Sequence, residues 1–237
     1  MAKTTYTFCR VEKKYTITKE QQAALLERLA EYLVPDSYGN STVCSLYWDP
    51  PSWRLIRESI HAGAYKEKLR LRSYGTPGSL DTVFLEIKKK YKGVVYKRRV
   101  QIPLAQAMDY LSGGEKPCTG QIMDEIDYAM AFYQHPRPAM LIACEREAYF
   151  CREDPGLRLT FDTNIRYRKT DLALDRGSAG DALQQKDQVL LEVKTGGAMP
   201  LWLSHALNDL EIYPSRFSKY GKAYETAILS KEVYNNA

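Results

Sequence analysis

The chain has 237 residues, 44% of them hydrophobic and 27% charged, with a formal charge of +5 at pH 7. A chain this long buries roughly 70–75% of its unfolded surface, so it needs no disulfide staples, and so small a charge names no partner by itself. Its five cysteines (Cys9, Cys44, Cys118, Cys144 and Cys151) have no CxxC spacing, which signals neither a zinc site nor a disulfide framework. The N-terminus MAKTTYTF has no apolar signal region, and no stretch approaches the ~18–20 apolar residues of a membrane span. A cytoplasmic protein without a transmembrane segment is expected, any membrane partner being a separate chain.

Residues 5–15 predict a first strand. Thr18 and Gln21 form a capping box for a helix over about 19–33, with Leu25, Leu26, Leu29, Tyr32 and Leu33 on one stripe and Pro35 closing it. A strand rich in β-formers follows at 41–49, and Ser52 is placed to cap a short helix ending near Ile60. Three strands come next, at 65–74, 82–91 and 94–102. Gly75-Thr76-Pro77-Gly78 breaks between the first two, and Lys92-Gly93 is a two-residue hairpin turn between the others. Pro103 opens a helix to about Leu111, 112–120 is a loop, and 121–134 is a second helix. Strands at 140–151, 157–168 and 188–195 complete the set, with a polar, mobile loop expected at 170–187. Helical patterns at 199–210 and 215–229 end the chain. About eight strands with inserted and appended helices predict an α+β fold, not alternating βαβ units. No linker divides residues 1–237, which read as one domain.

Charge recurs along these strands with period two. A strand points alternate side chains to opposite faces. Under that pleat Glu12, Lys14, Lys68, Arg70, Arg72, Glu86, Lys88, Lys97, Arg99, Arg146, Arg158, Glu192 and Lys194 can share one face. Leu69 and Leu71, Leu85 and Ile87, Leu157 and Leu159, and Leu191 and Val193 take the other. A solvated sheet face is the plain reading of any single strand. Like charges across a sheet repel, however, and at ~8 Å with an effective dielectric of ~20 each pair costs on the order of 2 kcal/mol. A sheet curled so that its charged face lines a polyanion site explains the pattern better.

Arginine forks grip phosphate oxygens bidentately, and lysines add point charge. Mg²⁺ or Mn²⁺ needs only one or two protein carboxylates when phosphate supplies further oxygens. Glu192 is the first candidate, then Glu12 and Glu86, for which simple pairing with a neighbouring cation is the alternative. No GxxxxGK[ST], GxGxxG or HExxH occurs, and His61, His135 and His205 are scattered. No activated nucleophile is signalled, and phosphoryl transfer can dispense with one. In SRFSKYGKAYE, Ser215 is placed to cap a helix whose first turn carries Arg216, Ser218 and Lys219, and a helix N-terminus favours an anion.

The segments RVEKKY, KLRLRSYG, FLEIKKKY, CEREAYF, LRLTFDTNI, VLLEVKT and SRFSKYGKA, in this order, resemble the polyphosphate-polymerase domain of the vacuolar transporter chaperone (VTC) family. That family belongs to the triphosphate tunnel metalloenzymes, the CYTH-like superfamily, and the resemblance runs from about residue 6 to 229. It implies an eight-stranded antiparallel β tunnel with inserted and C-terminal helices. It also implies an ATP-dependent phosphotransferase that adds the γ-phosphate to inorganic polyphosphate with Mn²⁺ or Mg²⁺. By the same resemblance Lys14, Arg70, Arg72, Lys88, Arg146 and Arg158 would contact the triphosphate or product, and Glu192 would hold the metal. Ser218 and Lys219 would meet phosphate at the tunnel mouth, and Arg216 stands where the family tends to have another basic residue. Lys68, Lys97, Arg99 and Lys194 join the site from the shared charged face. The cyclase and thiamine-triphosphatase branches begin with ExExK, whereas Arg10 here replaces the first acid, which favours the VTC branch. The phosphate-sensing and transmembrane domains of membrane-anchored relatives have no counterpart in these residues.

Two rivals stand beside this reading. Water as acceptor would make a tripolyphosphatase or nucleoside triphosphatase of the same tunnel. A non-catalytic module could instead bind polyphosphate or RNA, since Tyr65, Tyr74, Tyr91 and Tyr96 lie among cations where bases stack.

Overall fold

The computed structural model describes residues 11–230 apart from 62 and 93. Strand β1 (Val11–Thr18) leads into helix α1 (Lys19–Arg28), followed by β2 (Leu33–Pro35), β3 (Ser41–Asp49) and α2 (Arg54–Ile60). Three long strands come next, β4 (Tyr65–Tyr74), β5 (Thr82–Tyr91) and β6 (Val94–Pro103), before α3 (Leu104–Leu111) and α4 (Gln121–Phe132). Then come β7 (Arg137–Cys151), β8 (Arg158–Arg168), the short β9 (Asp181–Ala182) and β10 (Gln188–Thr195). Helices α5 (Leu201–Asp209) and α6 (Lys219–Tyr224) follow, α6 continuing into a π-helical turn over Glu225–Leu229. Among the described residues no helix is long and apolar enough to cross a membrane.

Eight strands pair antiparallel in the order β1-β10-β8-β7-β3-β4-β5-β6, with β2 added to β7 and β9 to β8. The sheet is strongly curled. Lys88 on β5 reaches Glu12 on β1 at 3.5 Å, although the two strands stand near opposite ends of that order. The apolar alternate residues pack outward under two helical layers. Leu69, Leu71, Leu85 and Ile87 meet α3 and α4 through Ala107, Met123 and Ile126. Leu159, Leu191 and Val193 meet α1 and α5 through Leu25, Leu29, Leu203 and Leu207. A third cluster lies inside the curl, where Tyr220, Ala223 and Ala227 of the C-terminal helical segment pack on Tyr47, Ile142 and Leu190.

The capping box of Thr18 and Gln21 forms as expected, but α1 ends at Arg28. Leu33, expected on the helical stripe, turns into β2 and pairs with Cys151, because its backbone groups find a ladder on β7. Ser52 does not cap α2. Asp49, buried at the end of β3, takes that role: its carboxylate accepts from the Leu55 and Ile56 amides at 2.9 and 3.0 Å. The three strands of the central meander match their expected limits, and Tyr91 pairs with Val94 around Lys92, which adopts φ 45°. The part of the first predicted strand before Val11, and Gly93 of the hairpin turn, lie outside the described residues. The 170–187 segment holds a 3₁₀ turn (Leu174–Arg176) and β9, and it is tied down. Arg168 donates to the carbonyls of Asp171, Ala173, Gly177 and Ala179.

A bulge explains how Arg166 and Arg168 come to face that segment. The β7–β8 register slips between Ala143 and Glu145, opposite Asn164, which adopts φ 47°. Asn tolerates this left-handed conformation better than most residues. The extra residue inverts the alternation. Before it Phe161 packs outward; after it Ile165 and Tyr167 pack inward.

Asp49 also accepts from the Tyr220 hydroxyl at 2.8 Å, so one buried carboxylate joins α2 and α6 to the sheet. Asp49→Ala would leave three buried donors without a partner, at about 1–3 kcal/mol each when no water replaces it. Urea unfolding at pH 7.5 should show a loss of ~2–4 kcal/mol for Asp49→Ala and a smaller one for Tyr220→Phe.

Candidate active site: a cationic tunnel

The pleat and the curl together bring side chains from seven strands to the concave face. Lys68, Arg70 and Arg72 come from β4, Glu86 and Lys88 from β5, and Lys97 and Arg99 from β6. Across the lumen stand Glu12 and Lys14 of β1, Glu192 and Lys194 of β10, Asp162 and Arg158 of β8, and Arg146 of β7. The structure therefore assembles every charged strand residue expected on the shared face. It adds Asp162, which the sequence reading overlooked although it lies in step with Arg158 and Thr160 in RLTFD. Tyr47 and Ser45 of β3 join the lining as well, with no charge to mark them in the sequence.

Three buried acids organise the cations. Glu86 is fully buried and bridges Arg70 at 2.7 Å and Lys97 at 2.6 Å, with Arg72 at 4.0 Å. Burial alone would raise its pKa, but Arg70, Arg72 and Lys97 outweigh that and hold it well below the usual carboxylate range. Its oxygens are thus occupied by cations, as in the alternative of simple pairing; the metal-ligand role for which Glu86 is a candidate would require those pairs to break. Asp162 takes a bidentate fork from Arg146 at 2.5 and 2.6 Å and also bonds Lys219. Burial opposes ionisation here too, yet Lys219 and Arg146 bring its pKa down to about 2. Glu192 faces Lys14 at 3.1 Å, Lys194 at 3.3 Å and Lys219 at 3.5 Å. Against burial, Lys219, Lys14 and Lys194 keep it ionised far below its ordinary value.

The other lumen cations are held differently. Arg70 also donates to the Tyr47 hydroxyl at 3.2 Å, and Arg72 to Ser45 at 3.1 Å. Arg158 pairs with Asp36 at 2.8 Å and lies over the Phe150 ring, at one end of the lining. Arg99 stacks on Phe84, 4.8 Å from the ring centre. Among the described residues Lys68 has no carboxylate partner; its ammonium donates to Ser218 Oγ at 3.1 Å. Burial pushes Lys68 down to about 8, and Lys88, Lys14 and Arg70 press in the same direction, against a raising effect of Tyr47. Lys97 falls to about 7 through burial, despite Glu86.

The C-terminal segment enters the lumen differently from expectation. Residues 213–217 run extended along β1, with the Ser215 amide on the Lys14 carbonyl and Pro214 bridged to Tyr15. Ser215 is therefore not the helix cap. Ser218 is: its Oγ accepts from the Gly221 amide at 3.1 Å. Ser218 and Lys219 point into the cation array, whereas Arg216 sits exposed on the extended stretch, outside any helical turn. Of the four tyrosines set among cations, only Tyr74 has the parity of the lumen face. Tyr65, Tyr91 and Tyr96 alternate with it and share the outer face with Glu67 and Lys89, which pair there at 3.7 Å.

A divalent cation fits this lining only in part-protein coordination. Among the described residues no three His, Cys, Asp or Glu side chains converge as a ready-made cage. Glu192 and Glu12 approach from either side of Lys14, at 3.1 and 3.6 Å from its ammonium, and Asp162 shares Lys219 with Glu192. Such hard oxygen donors suit Mg²⁺ or Mn²⁺ held by one or two carboxylates, with phosphate and water oxygens completing the octahedron.

An eight-stranded antiparallel sheet curled around a lumen of opposed cations is the triphosphate tunnel fold of the CYTH-like proteins. A proposed adenylate cyclase from Bacillus halodurans has this fold, with a TM-score of 0.55 at 13% identity over 90% of this chain and 95% of that one. HpAC1 from Hippeastrum, a proposed adenylyl cyclase described as having a dominant triphosphatase activity, matches with a TM-score of 0.52 at 15% identity, covering 92% and 95%. No curated protein sequence matches significantly. Within the fold the assignment is specific: the VTC domain family's model matches residues 9–228, and the chain belongs to that family.

The depressed lysines give the lumen a pH dependence of definite sign. As pH rises through about 8 the empty tunnel loses the Lys68 proton. The Tyr47 phenol ionises over the same range, since Arg70, Lys68 and Arg72 overcome burial and bring it to about 8. Affinity for tripolyphosphate should therefore fall between pH 7 and pH 9. Lys68→Arg, which cannot lose its charge there, should flatten part of that fall in a calorimetric pH series.

Proposed function

We propose that this chain is a metal-dependent polyphosphate polymerase, transferring the γ-phosphate of ATP to the end of a growing polyphosphate chain. Membership of the VTC domain family supports chemistry on polyphosphate or triphosphate. The observation that carries the reading is the architecture of the cations. Arg70 is splinted by Glu86 and Arg146 by Asp162, so both guanidinium planes are fixed before any ligand arrives. Preset charge of this kind stabilises a transition state at little reorganisation cost.

The transfer forms a bond from a terminal phosphate oxygen of the chain to Pγ and breaks the bond from Pγ to the β,γ-bridging oxygen, releasing ADP. The attacking oxygen is already ionised at neutral pH, so no general base is required, and positioning and charge do the work. Arg70, Arg72 and Lys97 on one wall and Lys14, Arg146 and Lys219 on the other are set to grip donor and acceptor from opposite sides. Ser218, held by Lys68, offers a hydroxyl donor where α6 begins. Glu192, with Glu12, is the natural holder of Mn²⁺ or Mg²⁺, which when bound would neutralise charge on the phosphate oxygens. The triphosphatase activity described for HpAC1 keeps hydrolysis as the second reading, with water as acceptor.

Incubation with ATP and Mn²⁺, followed by separation of orthophosphate from long polymer, decides between them: polymer supports the polymerase, orthophosphate alone the hydrolase. Glu192→Gln should lower turnover by at least roughly ten- to a hundredfold, the loss that changing even a residue behind a metal's ligands brings. Tripolyphosphate affinity should stay level or tighten, because the change removes a negative charge from a site that binds anions. Full turnover at saturating Mn²⁺ would return Glu192 to the role of a wall counter-ion.

A further inference from the structure

Two aromatic rings stand on the lumen face beside the phosphate-gripping cations. Phe84 shares that face with Glu86 and Lys88, pairs with Arg72 on β4 and lies roughly 7 Å along β5 from Glu86. The Tyr74 ring meets it edge-on with centroids 5.7 Å apart, and Tyr74 is 52% exposed at the end of β4. Arg99 lies over the Phe84 ring and, among the described residues, has no carboxylate partner. An aromatic face carries negative charge density, so it attracts cations and offers nothing to a phosphate oxygen. A tunnel wall that met only polyphosphate would have no use for such a pair. A flat, uncharged ring attached to a triphosphate would, since bases stack on aromatic side chains and on guanidinium planes.

We infer that Tyr74, Phe84 and Arg99 form a nucleobase subsite at this mouth of the tunnel, which selects a nucleoside triphosphate over bare triphosphate as the phosphoryl donor. A base stacked there directs its phosphates onto Arg72 and Arg70, the next cations along β4. This rests on the polymerase reading for the nature of the donor, and it assigns to these three residues the part of the donor that the cations cannot see.

Calorimetric titration with ATP and, separately, with tripolyphosphate, both without divalent metal so that nothing turns over, tests it. Phe84→Ala and Tyr74→Ala should each weaken ATP about tenfold and leave tripolyphosphate within twofold, while Phe84→Trp keeps ATP affinity. Melting of the empty proteins checks that each variant folds, and half-exposed Tyr74 supplies a variant that removes no core contact. Equal losses for the two ligands, or unchanged ATP binding in both alanine variants, would overturn the subsite. The two readings separate cleanly. A parent that binds ATP through these rings but makes no polymer removes the polymerase and keeps the subsite, whereas polymer made at an unchanged KM for ATP by both alanine variants removes the subsite alone.

Discussion

The tunnel depends on a constraint that opposes it: cations brought face to face by a curled sheet repel one another, and burial sharpens the penalty. Buried charges persist when they are paired and hydrogen-bonded. Glu86, Asp162 and Glu192 supply that pairing, and each is shared by several cations. Shared acids keep the wall foldable while leaving it positive. They also fix direction, since a guanidinium held by a bidentate carboxylate has lost its rotational freedom before a ligand enters. Stability of the wall and readiness of the site come from the same few contacts.

The C-terminal segment divides the inside of the curl. Tyr220 stacks on Tyr47 with centroids 4.2 Å apart and fills one part with an apolar cluster, while Ser218 and Lys219 at the start of α6 reach the charged part. A short helix can lie inside such a lumen because its apolar side has the inward residues of β3, β7 and β10 to pack on. Asp49 then links this inner helix to α2. The position of Lys219 among the carboxylates is thus set by packing some distance away from the charged part of the lumen.

Much of this was legible in the sequence because period-two alternation is a direct consequence of the pleat. Lys68, Arg70 and Arg72 announce their common face without any knowledge of their neighbours, and the curl follows from the need to give so many like charges a partner. Legibility failed where the deciding contact was distant in sequence. Nothing near Ser52 shows that Asp49 will cap α2, and nothing near Ser215 shows that the chain will first run along β1 before turning helical. Leu33 fits a helical stripe locally and is taken by the β7 ladder. Asp162 is inconspicuous for another reason: it is an acid on a face marked by its cations, and only its parity with Arg158 and Thr160 places it there.

The bulge at Asn164 has a consequence for how such a lumen can change. One surplus residue in β8 sends Arg166 and Arg168 outward, where they clamp the 170–187 segment, and turns Ile165 and Tyr167 inward. A strand without it would present two further guanidinium groups to the pore and withdraw the Ile165 branch and the Tyr167 ring from its floor. The ionic character of the channel is therefore set by a count of residues as well as by their kind, and a single-codon deletion could rewrite it without changing the identity of any side chain that remains.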